Sequence, residues 1–216
     1  MTDAELRTLW REAPLVMSPA IWRALRIVLL LGRRTSEISD IARHEVMLER
    51  EPPVLIIPAN REGNEAKQED IVPLPPMVVA IIREALAIGK TTDPLFVGAH
   101  GRSTVSHEFT DFHNAMVWPG KSRIHDDRTM INDQMARMKV PSEMRSRTLH
   151  HTGDLRALVN STYSAYDHID EQLRAFRLWQ ARLRNIVNGK KLHTLRWCSA
   201  PSTKAATSSA AEGFAR

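Results

Sequence analysis

Three kinds of side chain between residues 125 and 163 could together cleave a phosphodiester without a metal ion. The stretch opens with His125-Asp126-Asp127-Arg128, continues through His150-His151 and reaches Tyr163. Arginine offers a planar fork of donors to phosphate oxygens, histidine moves protons near neutral pH, and a tyrosine hydroxyl can attack phosphorus. A histidine or tyrosine taken alone more often packs or faces solvent. The order and combination of these residues therefore indicate a candidate phosphoryl-transfer site.

A second basic element lies upstream, between two predicted helices. Ser18-Pro19 is typical of a helix start and Gly32 of a helix end. Arg33 and Arg34 follow in the turn before another helix, where free N–H groups and side chains can converge on a phosphate. An exposed basic turn without a ligand is the alternative interpretation of this pair.

The pattern of apolar residues predicts an α+β fold, mostly helical, with a small three-stranded antiparallel sheet. Strands are expected near 44–48, 54–59 and 70–74, with the polar segment 60–68 in the second hairpin. Helices are expected near 2–13, 18–31, 77–88, 103–116, 125–138, 141–149, 155–166 and 169–188. Pro14 is expected to end the first helix. We predict one domain over 1–189 and a disordered tail over 190–216, where Ser, Thr and Ala predominate without periodicity.

Composition narrows the class of protein without deciding its function. The 216 residues carry a net charge of +5 at pH 7, which favours an anionic partner. The one cysteine, Cys198, forms no intrachain disulfide, and no Cys/His cluster has zinc-ligand spacing. Apolar runs such as Ile27 to Leu31 are far too short to span a bilayer, and residues 1–20 lack a signal-peptide pattern. We expect a cytoplasmic location, with no membrane association.

Taken together, these motifs resemble the catalytic domain of the tyrosine recombinases, the phage-integrase family. The resemblance covers roughly residues 2–189 and rests on several short motifs in the right order. The motifs are Gly32-Arg33-Arg34-Thr35-Ser36-Glu37, Ile57-Pro58-Ala59-Asn60-Arg61, Val72-Pro73-Leu74, His125-Asp126-Asp127-Arg128, Leu149-His150-His151-Thr152 and Tyr163-Ser164-Ala165-Tyr166.

The resemblance implies cleavage and rejoining of duplex DNA through a 3′-phosphotyrosyl intermediate, with no cofactor and no metal. It implies Tyr163 as the nucleophile and Arg34 and Arg128 as the clamp on the phosphate. His125 would be the base or proton shuttle, His151 a hydrogen-bond donor to the phosphate, and Lys67 the acid that protonates the leaving 5′ oxygen. The implied partner is a double-stranded attachment site, bound by a tetramer of chains. A site-specific recombinase of a phage or other mobile element, associated with the nucleoid, is the function this predicts.

Several features depart from the family pattern. The catalytic lysine usually falls two residues after the position of Arg61, which here is Gly63, so Lys67 would act from a longer hairpin. Asp127 stands where an apolar residue is usual, and Tyr166 is an alternate nucleophile. We expect the adjacent His150 to be structural.

Family members also carry an N-terminal DNA-clamping domain, which we expect to be absent here. A truncated DNA-binding remnant without recombination activity is therefore the main alternative function, and relaxation of DNA like a type IB topoisomerase is another. Whether the helix over 169–188 docks onto its own chain or onto a neighbouring subunit is left open by the sequence.

Overall fold

The computed structural model describes residues 1–61, 68–88, 94–96, 108, 111–112, 126–149, 168–190 and 195–197. Its α-helices in these ranges are α1 (Asp3–Val16), α2 (Pro19–Leu31), α3 (Thr35–Ser39), α4 (Pro76–Ala87), α5 (Asp126–Arg137), α6 (Ser142–Thr148) and α7 (Ile169–Val187). The strands are β1 (Val46–Met47), β2 (Val54–Ile57) and β3 (Asp70–Pro73), and a 3-10 turn covers Arg43–Glu45. These helices and strands confirm the predicted α+β class.

The three strands form one antiparallel sheet, as predicted, and their order in it is β1-β2-β3. Leu55 lies opposite both Val46 and Val72, and Ile57 lies opposite Asp70. β1 is shorter than the expected 44–48, because Glu45 accepts the Ala42 N–H at 2.9 Å and folds the chain before Val46 into a turn. A local side-chain hydrogen bond thus displaces the start of the strand.

Helix α1 differs from its prediction at its C-terminal end. Thr2 and Glu5 form the expected capping box, but the helix continues past Pro14 to Val16. Because Pro14 lies in the last turn, its missing N–H removes little of the helical ladder. The Met17 N–H donates to the Ala13 carbonyl at 2.9 Å and closes the helix beyond the proline.

The core lies where α2 and α7 meet. Helix α2 is buried almost all round, and it contacts α1, α3, α4, α5 and α7. Helix α7 contacts α1, α2, α5, α6 and β3 of the same chain, with Phe176, Trp179 and Leu183 fully buried. In the described part of the chain, α7 therefore packs against elements of its own chain.

Charged groups also join the helices at one edge of this core. Arg182 donates to Asp3 at 2.9 Å and to Gln134 at 3.0 Å, and Gln134 donates to Asp3 at 3.1 Å. This ring of hydrogen bonds links α1, α5 and α7. Burial lowers the pKa of the Arg182 guanidinium, and the Asp3 carboxylate opposes that shift.

Some predicted elements fall outside the described residues. They are the helix over 155–166, the tail from 198 onward and most of the helix over 103–116, of which residues 108, 111 and 112 are described as helical. Within the described ranges, no helix combines the length and apolar character needed to cross a membrane.

Trp179 satisfies a carbonyl at the end of α2, and this contact predicts the outcome of a substitution. Its Nε1–H donates to the Leu29 carbonyl at 2.8 Å, one of the last four carbonyls of the helix, which lack partners within it. Trp179→Phe should lower the free energy of unfolding by about 1–3 kcal/mol, through the lost hydrogen bond and the space left behind. Chemical denaturation would measure the change.

Trp22→Phe is the matched control, because Trp22 is half-buried and packs edge-on to Trp10 with ring centroids 5.4 Å apart. The control should lose less stability than Trp179→Phe. A larger loss at Trp22 would contradict the role of Trp179 in closing α2.

Candidate functional site

The first arginine of the candidate site, Arg34, caps the N-terminus of α3. The chain reaches it through Gly32, which ends α2 in the left-handed conformation with φ of 64°. Arg34 therefore stands at the junction of two helices, as the sequence predicted. Its side chain is 20% exposed, so part of it is in contact with solvent.

Glu37 holds Arg34 from within α3. One carboxylate oxygen accepts the Arg34 backbone N–H at 3.1 Å, and the other lies 3.5 Å from Nη1 of the guanidinium. The Glu37 side chain is fully buried, so its position is fixed by the surrounding core. The motifs of the sequence predicted no role for Glu37, although its position three residues after a helix cap is the spacing of a capping box.

The second arginine, Arg128, lies in the first turn of α5 and is 6% exposed. Its Nη2 donates to the Leu149 carbonyl, just after the end of α6. Leu149 directly precedes His150-His151, so Arg128 is tied to the part of the chain that carries the histidine pair. Asp127, the departure noted in the sequence, is fully buried beside it.

Gly32 brings the two arginine-bearing elements together. A Cβ at residue 32 would overlap with Cδ2 of Leu149 and would lie 3.4 Å from Cδ1 of Ile131. Ile131 is three residues after Arg128, and residues at this spacing share one face of a helix. The α2–α3 turn therefore packs directly against the face of α5 that carries Arg128 and against the residue that Arg128 binds.

Of the six predicted site residues, Arg34 and Arg128 are described, and they lie on elements that contact each other through Gly32, Ile131 and Leu149. Lys67, His125, His151 and Tyr163 lie outside the described residues, as do His150 and Tyr166. Their participation remains a prediction. Within the described ranges, no group of three His, Cys, Asp or Glu side chains is placed to share a metal ion.

A scan against protein-family models, a search of curated proteins and a search of solved structures each found no match to this chain. The site must therefore be interpreted from its own residues.

The contact at Gly32 predicts a large effect for a small substitution. Gly32→Ala should be destabilising for two reasons: the left-handed backbone disfavours a side chain by about 1–2 kcal/mol, and the overlap with Leu149 adds about 1–3 kcal/mol. Thermal and denaturant unfolding would measure the sum.

Gly189→Ala separates these two contributions. Gly189 has φ of 65°, nearly the same as Gly32, but a Cβ there would meet no atom within 4 Å. The free energy of unfolding of this control variant should therefore fall only by the cost of placing a side chain on a left-handed backbone. Equal losses for the two variants would show that Leu149 does not restrict residue 32.

Proposed function

We propose that this protein is a tyrosine-type site-specific DNA recombinase of a phage or other mobile element. The observation that carries the proposal is that Leu149 contacts both arginine-bearing elements. Its carbonyl accepts a hydrogen bond from Arg128, and its side chain packs at Gly32, two residues before Arg34. Two arginines that are distant in the sequence are thereby supported at one corner of the fold, next to the chain segment that bears the histidine pair.

Two arginines suit the charge that develops during attack on a phosphodiester. The pentacoordinate transition state carries negative charge on its non-bridging oxygens, and guanidinium groups donate paired, charge-assisted hydrogen bonds to such oxygens. Arg34 is partly exposed and is held by the buried Glu37, while Arg128 is anchored on Leu149. Such anchoring reduces the reorganisation needed when the charge develops.

In the proposed reaction, the Tyr163 hydroxyl attacks the scissile phosphorus. An O–P bond forms to the tyrosine, and the bond between phosphorus and the 5′ oxygen breaks. The tyrosine proton passes to His125, and the leaving 5′ oxygen takes a proton from Lys67. Attack by a second 5′ hydroxyl reverses these steps and releases the tyrosine, so the phosphodiester is rebuilt without an external energy source.

The remaining parts of the proposal concern partners and location. The chain would adopt the DNA breaking-rejoining fold over residues 1–189 and would bind a double-stranded attachment site as a tetramer. Basic residues that contact phosphates would make this binding salt-dependent. A cytoplasmic location at the nucleoid follows from the same proposal.

A suicide substrate tests the nucleophile. A nicked duplex containing the attachment site is incubated with the wild-type chain and with Tyr163→Phe, and covalent protein–DNA product is measured on a denaturing gel. The proposal predicts an adduct from the wild type alone. Salt-sensitive binding without an adduct from either chain would contradict it and would favour the DNA-binding remnant.

The roles of the two arginines predict a second result. Arg34→Lys and Arg128→Lys keep a positive charge but lose the fork that grips two oxygens. Each should slow the formation of the adduct by about 10²–10³-fold, while DNA affinity falls much less. Single-turnover cleavage and a binding titration would measure the two effects on the folded fraction of each variant.

Arg11→Lys is the matched control, because Arg11 is exposed on α1 and has no part in the proposed site. It should cleave at the wild-type rate. Arginine variants that lose affinity and rate by the same factor would count against transition-state stabilisation.

A further inference from the structure

Two buried arginines hold the short helix that Arg34 caps. Helix α3 covers only Thr35–Ser39, with Arg34 as its N-terminal cap and Asp40 as its C-terminal cap. A helix this short is not stable alone, so its position depends on its tertiary contacts. Arg33 makes a contact just before the helix, and Arg61 makes one just after it.

The contact before the helix is an ion pair between Arg33 and the sheet. The fully buried Arg33 side chain donates through Nη1 to the carboxylate of Asp70, the first residue of β3. Because adjacent Cα atoms are about 3.8 Å apart, the position of Arg33 limits where Arg34 can lie. The start of β3 thus restrains the backbone directly before Arg34.

The contact after the helix involves Arg61, which follows β2. Its Nη1 donates to the Asp40 carbonyl, and its Nη2 donates to both carboxylate oxygens of Glu45. The Arg61 and Glu45 side chains are each 8% exposed, so the pair is almost removed from water. Arg61 therefore joins the C-terminal cap of α3 to the chain that leaves β2.

Stability alone is a poor explanation for these buried pairs. Removing two charges from water costs about as much as their attraction returns, and well-packed apolar residues often serve a fold equally well. Among the described residues, Nε and Nη2 of Arg33 and Nε of Arg61 have no hydrogen-bond partner. Incompletely satisfied buried cations raise the cost further. What the pairs do supply is a fixed position of α3 relative to the sheet.

Arg34 is the residue whose position depends most directly on this arrangement. Its partly exposed guanidinium lies 3.5 Å from the carboxylate of Glu37, a residue of the same helix. Glu37 therefore orients the guanidinium within α3, whereas the pairs of Arg33 and Arg61 set where α3 lies on the fold. Both are needed to place the guanidinium at one point in space.

We propose that Arg33 and Arg61, held by Asp70 and Glu45, are positioning residues for Arg34. This inference rests on the proposed recombinase function, in which Arg34 stabilises the charge that develops on the phosphate. None of the other four residues would touch the phosphate. A displacement of about 1 Å in a group that acts on the reacting atoms can cost about 10²-fold in rate, so weakening either pair should slow cleavage.

A double variant distinguishes this role from general support of the fold. If Asp70 acts through Arg34, its substitution has nothing left to displace once the guanidinium has been removed. The losses caused by the two substitutions should then fail to multiply. A residue that only supports the fold should lower the rate by the same factor whether or not Arg34 is present.

The experiment measures single-turnover formation of the adduct on the nicked attachment-site duplex, normalised to the folded fraction of each variant. Asp70→Asn should be slower than the wild type by about 10–10²-fold, and Arg34→Ala by about 10²–10³-fold. The double variant should match Arg34→Ala within about twofold, the usual error of additivity.

Two further variants keep the test independent of the folding of Asp70→Asn. Arg33→Lys retains the buried charge but loses the fork, so it should behave as Asp70→Asn does, alone and combined with Arg34→Ala. Arg61→Lys tests the second pair by the same criterion. Losses at Arg61 that multiply with those at Arg34 would overturn the role of Arg61.

Asp3→Asn is the matched control, because it weakens the pair with Arg182 at the α1–α7 contact. Any loss that it causes should multiply with that of Arg34→Ala. The proposal is overturned if the losses of Asp70→Asn and Arg33→Lys also multiply, or if neither variant slows the reaction. An adduct from the wild type would show in these cases that the proposed function stands. A wild-type chain that forms no adduct would overturn the proposed function, and the positioning role would fall with it.

Discussion

The arrangement of the two arginines depends on the close approach of Gly32 to Leu149. The end of α2 must turn in a left-handed conformation, and no side chain fits between the turn and Leu149. Because the Leu149 carbonyl also binds Arg128, one residue sets the position of both arginine-bearing elements. Trp179 of α7 also stabilises the end of α2, because it donates a hydrogen bond to a carbonyl in the last turn of that helix. The central helix packing and the candidate site are thus coupled.

The surroundings of Arg34 contain buried charge as well as apolar packing. Arg33 and Glu37 are fully buried, and Arg61 and Glu45 are nearly so. Each of these groups needs a partner in a fixed place, because an uncompensated charge in the interior is costly. A region that depends on such pairs tolerates few alternative geometries, which suits a site that must hold a phosphate between side chains from separate elements.

Local signals in the sequence were sufficient for most of the elements in the described ranges. Ser18-Pro19 and Gly32 gave the bounds of α2, short apolar or alternating runs gave the three strands, and the apolar stripe gave α7. The predictions were wrong at Pro14 and at the start of β1, where a position late in a helix and one hydrogen bond decided the outcome.

The candidate site was less accessible to sequence reasoning. Its motifs selected Arg34 and Arg128, but the contact of Leu149 with Gly32 joins residues far apart in the chain and has no periodic pattern. Arg33 is the clearest case, since an arginine in a turn usually faces water and this one is fully buried against Asp70. Such pairings arise from tertiary packing, which spacing alone cannot reveal.

The most direct test of the proposed function is to locate the DNA on the protein. Protein from a trapped reaction is digested with trypsin and nuclease, and the peptide over residues 157–174 is sequenced by mass spectrometry. The expected result is a nucleotide 3′-phosphate on Tyr163. Nucleotide on Tyr166 would reassign the nucleophile, and an unmodified peptide from a cleaved substrate would contradict covalent catalysis by tyrosine.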